Sequence, residues 1–107
     1  ALTSEQARLI RDAVEQVVSY ALKEAEPDED ELYCEVDYDI VNRCLSPLDD
    51  MGTRLSIEKL AGLIDAHPAV NYSDYHNNGI TVYFNSPEIL QGLGLRTGQG
   101  MTGMQPL

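Results

Sequence analysis

The sequence predicts a small α+β domain. It has a three-stranded sheet in an incomplete split βαβ arrangement, ferredoxin-like in part, with an N-terminal helix and two further helices. Three observations carry this. Apolar residues recur at helical spacing from Ala7 to Ala25. Leu32, Cys34, Val36, Tyr38 and Ile40 then alternate with Tyr33, Glu35, Asp37 and Asp39, the period of a half-buried strand. A helix-spaced segment, two short β segments and a proline-led helix follow in that order.

The first helix opens on Thr3-Ser4-Glu5-Gln6, which fits a capping box with Thr3 as N-cap and Gln6 reaching back. Ala7, Ile10, Val14, Val17, Val18, Ala21, Leu22 and Ala25 form its inner face. Pro27 stops it by pushing Glu26 out of helical geometry. Glu24 and Glu26 stand at the negative end of the helix dipole, where Lys would be more favourable.

The alternation from Leu32 to Val41 is read as one strand at the edge of the sheet, and Ser46–Gly52 as a loop. A second helix follows, capped by Thr53 or Ser56, with Ile57, Leu60, Ala61 and Ile64 inward, and it ends at His67-Pro68. Ala69–Tyr75 and Ile80–Phe84 read as a hairpin. Two turns compete. A two-residue Asn78-Gly79 loop pairs odd with even positions and sets Ser73 beside Val82 and Phe84. A three-residue loop closing His76 on Ile80, with Gly79 left-handed in a bulge, puts Val70 and Tyr72 on the face of Ile80, Val82 and Phe84. Apolar matching favours the bulged form, with Tyr75 and Tyr83 on the opposite face from Val82. Handed crossover places Ile80–Phe84 centrally. Ser86 and Pro87 open the last helix, carrying Ile89, Leu90 and Leu93. Residues 1–93 therefore read as one domain, and 94–107 as a flexible glycine-rich tail.

With 107 residues, the chain suffices for one core without staples. Its formal charge is −11, and the two halves differ: −9 over residues 1–54 and −2 over 55–107. Nucleic acid and anionic membrane are poor partners for such a chain. Nine of the eighteen carboxylates fall in residues 24–39, where there is no Lys or Arg. No apolar run reaches membrane-spanning length and no charged-then-apolar leader opens the chain, so a cytoplasmic protein is expected. Cys34 and Cys44, ten apart, read as buried thiols of a reducing compartment, because neither a strand nor a helix between them brings them to disulfide distance.

Chemistry-bearing motifs fail on context. Gly98-Gln99-Gly100-Met101-Thr102-Gly103 matches a dinucleotide fingerprint in letters but lacks the following helix. Asp28-Glu29-Asp30-Glu31 lacks the glycine of a calcium loop, since Tyr33 falls at the sixth position. His67 sits where an imidazolium meets a helix C-terminus. Asp74 and His76 supply two metal ligands, fewer than a structural zinc site needs. The sequence thus points to no catalytic residues, no metal site, no cofactor and no enzyme.

What remains is an acidic surface on a strand. Glu35, Asp37 and Asp39 share a parity with Tyr33, and the Asp28, Glu29, Asp30 and Glu31 run flanks them. Carboxylates around a tyrosine ring suit Arg or Lys of a basic protein surface. Their strand spacing of about 6.6–6.8 Å is on the scale of phosphates along a nucleic-acid strand. The expectation is a small acidic protein that binds and blocks a basic, nucleic-acid-binding protein. Immunity and phage counter-defence proteins act this way, an analogy of type and not of sequence. A salt-adapted domain without a charge-specific partner is the alternative, and a small metal enzyme using Asp74 and His76 the third.

Overall fold

The computed structural model of the protein describes residues 2–28 and 31–95. Its elements are α1 (Ser4–Glu24), β1 (Glu26–Asp28), β2 (Glu31–Asp37), α2 (Tyr38–Asp50), α3 (Ile57–Asp65), β3 (Val70–Tyr75), β4 (Gly79–Phe84) and α4 (Pro87–Gly92). The sheet runs β1-β2-β4-β3 with antiparallel neighbours. Its core is the three-stranded β2-β4-β3 unit with β4 central, the split arrangement read from the sequence. The expected tail from residue 96 onward lies outside the described residues, while Leu95 packs against the core.

The helix caps follow local rules. Thr3 Oγ1 accepts from the Gln6 backbone N–H at 3.0 Å, and Gln6 Oε1 accepts from Thr3 N–H at 2.9 Å. Gln6 also donates to the Thr53 hydroxyl at 2.8 Å, which ties the start of α1 to the α2–α3 connection. Ser56 caps α3, and Ser86 with Pro87 opens α4. Helices cover one sheet face. Cys34, Val36, Val70, Ile80, Val82 and Phe84, all of one facing, share a single core with Val14, Val17, Ala21, Val41, Leu48, Leu60 and Ile64.

Three expectations are corrected. The strand ends at Asp37, and Tyr38–Asp50 is helical, so Ser46–Gly52 is not a loop throughout. Val41, Cys44, Leu45 and Leu48 recur at helical spacing and are buried. Asp37 caps this helix, its carboxylate accepting from Ile40 N–H at 3.1 Å. Pro47 lies inside it without breaking it. A proline cannot donate to the carbonyl four residues back, and the Ser46 hydroxyl donates to that Arg43 carbonyl instead, at 3.0 Å.

Second, the β2 edge is not bare. Glu26–Asp28 pairs with its first residues, Glu26 opposite Tyr33 and Asp28 opposite Glu31. Third, the hairpin turns over Asn77-Asn78, with His76 N–H donating to the Gly79 carbonyl at 2.9 Å. Tyr75 pairs with Ile80, Ser73 with Val82 and Tyr72 with Tyr83. The irregularity sits between Val70 and Tyr72, and it returns Val70 to the buried face opposite Phe84. Tyr72 therefore joins Tyr83 on the outer face, and Tyr75 keeps the facing of Ile80 and Val82. Gly79 has no left-handed backbone, which the described glycines show only at Gly52 and Gly94. Its small size answers a close approach instead: a Cβ there would stand 2.1 Å from the Val36 carbonyl oxygen.

Candidate functional site

The outer face of the sheet carries two rows of side chains in register. The first is Tyr33, Tyr83 and Tyr72, one from each of β2, β4 and β3. Tyr72 and Tyr83 stack with centroids 4.4 Å apart and planes 13° from parallel, and Tyr33 and Tyr83 with 6.0 Å and 26°. The second row is Glu35, Thr81 and Asp74. Glu35 and Asp74 are exposed, Tyr72 is 46% exposed, and Tyr33 and Tyr83 are half-buried. No Lys or Arg lies in β2, β3 or β4.

Neighbouring groups hold the second row. His76 Nδ1 accepts from Asn78 N–H at 3.2 Å, so in the neutral ring the proton resides on Nε2. That nitrogen lies 3.1 Å from the Thr81 hydroxyl and 3.9 Å from a Glu35 oxygen. Thr81 is thereby satisfied although only 6% exposed. Tyr38, at the first position of α2, donates from its backbone N–H to the Asn78 carbonyl at 3.3 Å and from its hydroxyl to the His76 carbonyl. The β3–β4 turn and the end of β2 are thus latched together.

The expected acidic stripe is redistributed. Tyr33 and Glu35 lie on the outer face as anticipated. Asp37 is turned to the α2 amide ends, and Asp39, exposed in the first turn of that helix, also suits its positive end. A straight three-carboxylate row therefore does not form, because the strand ends where the helix cap begins. Of the flanking run, Asp28 and Glu31 are register partners at the β1–β2 hairpin, while Glu29 and Asp30 lie outside the described residues. Sequence reasoning missed Tyr72, Tyr83, Asp74 and His76 as neighbours of Tyr33 and Glu35. Odd-with-even pairing across the hairpin was the signal that would have found them.

Other regions are used locally. His67 Nδ1 accepts from Ala69 N–H at 3.0 Å and Nε2 meets Glu15 at 2.7 Å, binding α1 to the start of β3 in place of the expected dipole contact. A groove of about 500 Å³ between α2 and α3 is lined by Leu45, Leu48, Leu55 and Ile57 with Asp49 and Arg54. Neither cysteine forms a disulfide, and both are buried. Burial pushes the Cys44 thiol up, against the pull of neighbouring Arg43. Among the described residues, no group of three or more His, Cys, Asp or Glu is placed to hold a metal ion, and no helix is long and apolar enough to cross a membrane. The dinucleotide-like Gly98–Gly103 motif lies outside the described residues.

Comparison with protein-family models, curated proteins and solved structures yields no match.

Proposed function

We propose that this protein binds a basic protein surface through the outer face of its sheet and blocks it. The carrying observation is the Tyr33–Tyr83–Tyr72 stack set in register beside Glu35 and Asp74 on a face whose strands hold no cation. Aromatic rings beside carboxylates supply ring contact and ion pairing to Arg and Lys together. The net charge of −11 steers a cationic partner toward the molecule. A basic surface covered in this way is closed to its own anionic ligand, including nucleic acid. The reading is one of binding: Glu35 and Asp74 lie in one row, exposed on the sheet face beside the tyrosines. Two buried thiols suit a reducing compartment such as the cytoplasm.

The test compares immobilised wild-type protein with a Glu35→Gln/Asp74→Asn variant in lysate of the native host. Wild type is expected to retain basic proteins that leave as salt rises, and the variant to lose them. Equal retention by both overturns the reading. The nine carboxylates outside residues 24–39, spread over the other elements, favour salt adaptation as a second reading. That reading expects no charge-specific partner and a fold whose stability climbs with salt.

A further inference from the structure

Resting on the reading above, we propose that His76 makes the acidic row sensitive to protons: on gaining one, the imidazole gives up its bond within the turn, pairs with Glu35 and withdraws that carboxylate from a cationic partner. Each ring nitrogen has its own part in this. Nδ1 accepts from the Asn78 N–H at 3.2 Å. A proton on Nδ1 sets donor against donor, so this bond exists only with the neutral ring. Nε2 carries a hydrogen in both states, and it stands 3.1 Å from the Thr81 hydroxyl and 3.9 Å from a Glu35 oxygen. Charging the ring therefore removes a contact on one side and adds an ion-pair partner on the other. Imidazole changes charge between about pH 5 and 8, where carboxylates stay largely ionised.

The backbone around the ring does not depend on that proton. Tyr38 donates its N–H to the Asn78 carbonyl at 3.3 Å and its hydroxyl to the His76 carbonyl, and neither bond involves the imidazole. The ring is thus able to turn toward Glu35 while the turn and β2 stay latched. Both side chains are exposed. The charged groups around them are carboxylates: Glu35 and Asp37 on β2, Asp74 across Thr81 on β3, and Asp39 in the first turn of α2. Asp37 already serves the Ile40 N–H. β4 contributes only the Tyr83 phenol, in the neighbouring row, and Arg43, the first cation of α2, comes in its second turn. Among the described residues, Glu35 is the carboxylate within ion-pair distance of the ring. An imidazolium beside it leaves the Glu35–Asp74 row with half its net negative charge. A cationic partner is then held more weakly, and acidification releases it.

The full chain is titrated with an oligo-lysine peptide by calorimetry at about pH 8 and about pH 5.5, at one ionic strength. The His76 ring nitrogens and the Asn78 amide are followed by NMR over the same range. Wild type is expected to bind about two- to fivefold more weakly at the lower pH, the scale of one exposed charge pair. The Asn78 amide proton is expected to shift in step with the ring as its acceptor is lost. His76→Gln is expected to bind alike at both pH values; His67, engaged with Glu15 and Ala69, is present in both proteins and serves as the control. Equal wild-type affinities overturn the switch while leaving a basic partner in place. A pH dependence undiminished in His76→Gln also overturns it, as does an Asn78 amide that ignores the ring. Failure of the peptide to bind at either pH overturns both the switch and the function it rests on.

Discussion

The Asp65 carboxylate, at the end of α3, accepts from both the backbone N–H and the hydroxyl of Ser73, at 2.6 and 2.7 Å. Ser73 lies in β3, the outer strand of the sheet, and this N–H faces away from β4. A helix side chain therefore occupies a donor that another strand would otherwise engage. The Ser73 hydroxyl also reaches the Ala61 carbonyl at 3.2 Å, so α3 and the edge strand are joined at two points.

Asp65→Ala is expected to cost about 1.5–3 kcal/mol, the range for hydrogen bonds to a charged group. It also uncovers the edge. Sedimentation is expected to show concentration-dependent association absent from wild type. An unchanged monomer of unchanged stability would show that the Asp65 contacts are idle.

Val36 is fully buried and Asp37 caps α2, so neighbouring substitutions act by different routes. Val36→Asp is expected to unfold the domain by burying an unpaired charge. Asp37→Val is expected to cost about 0.5–2 kcal/mol through the lost cap, and Asp37→Ser to cost less. Urea unfolding distinguishes them.

Gly79→Ala places a methyl group against the Val36 carbonyl and the Asp37 backbone, neither of which is a flexible side chain. Overpacking of this kind is expected to cost about 2–3 kcal/mol. Gly62, inside α3 with open space around it, gives the opposite sign. Gly62→Ala is expected to stabilise by about 0.5–1 kcal/mol. Thermal melts of the two variants read both signs.

Pro47→Ala restores an N–H to the interior of α2 and is expected to stabilise the fold by about 1–3 kcal/mol. Ser46→Ala removes the hydroxyl that serves the Arg43 carbonyl and is expected to destabilise wild type. In the Pro47→Ala background the same change is expected to matter little, since the helix then satisfies that carbonyl itself. A double-mutant cycle measures this coupling.

Local chemistry alone determined where α1, α3 and α4 begin. Thr3 with Gln6, Ser56, and Ser86 with Pro87 act within a few residues of themselves, so their role needs no knowledge of the rest of the chain. The parity of Tyr33 and Glu35 against Cys34 and Val36 was equally local, because pleating alternates faces whatever the partner strand. The central position of β4 followed from crossover handedness. Tertiary structure decided where alternation stops. Tyr38 and Ile40 satisfy the strand period, yet Val41, Cys44, Leu45 and Leu48 bury more as a helix, and Asp37 becomes its cap. It also decided the hairpin register. Gly79 is held by the passing Val36 backbone, which sets the turn at Asn77-Asn78 and moves the irregularity toward Val70. That register alone brings Tyr72 opposite Tyr83 and Asp74 into the row of Glu35. Residues as distant in the chain as Tyr33 and Tyr83, or Glu35 and Thr81, become neighbours through strand pairing, and pairing is a choice among competing packings that no short stretch of the chain can make.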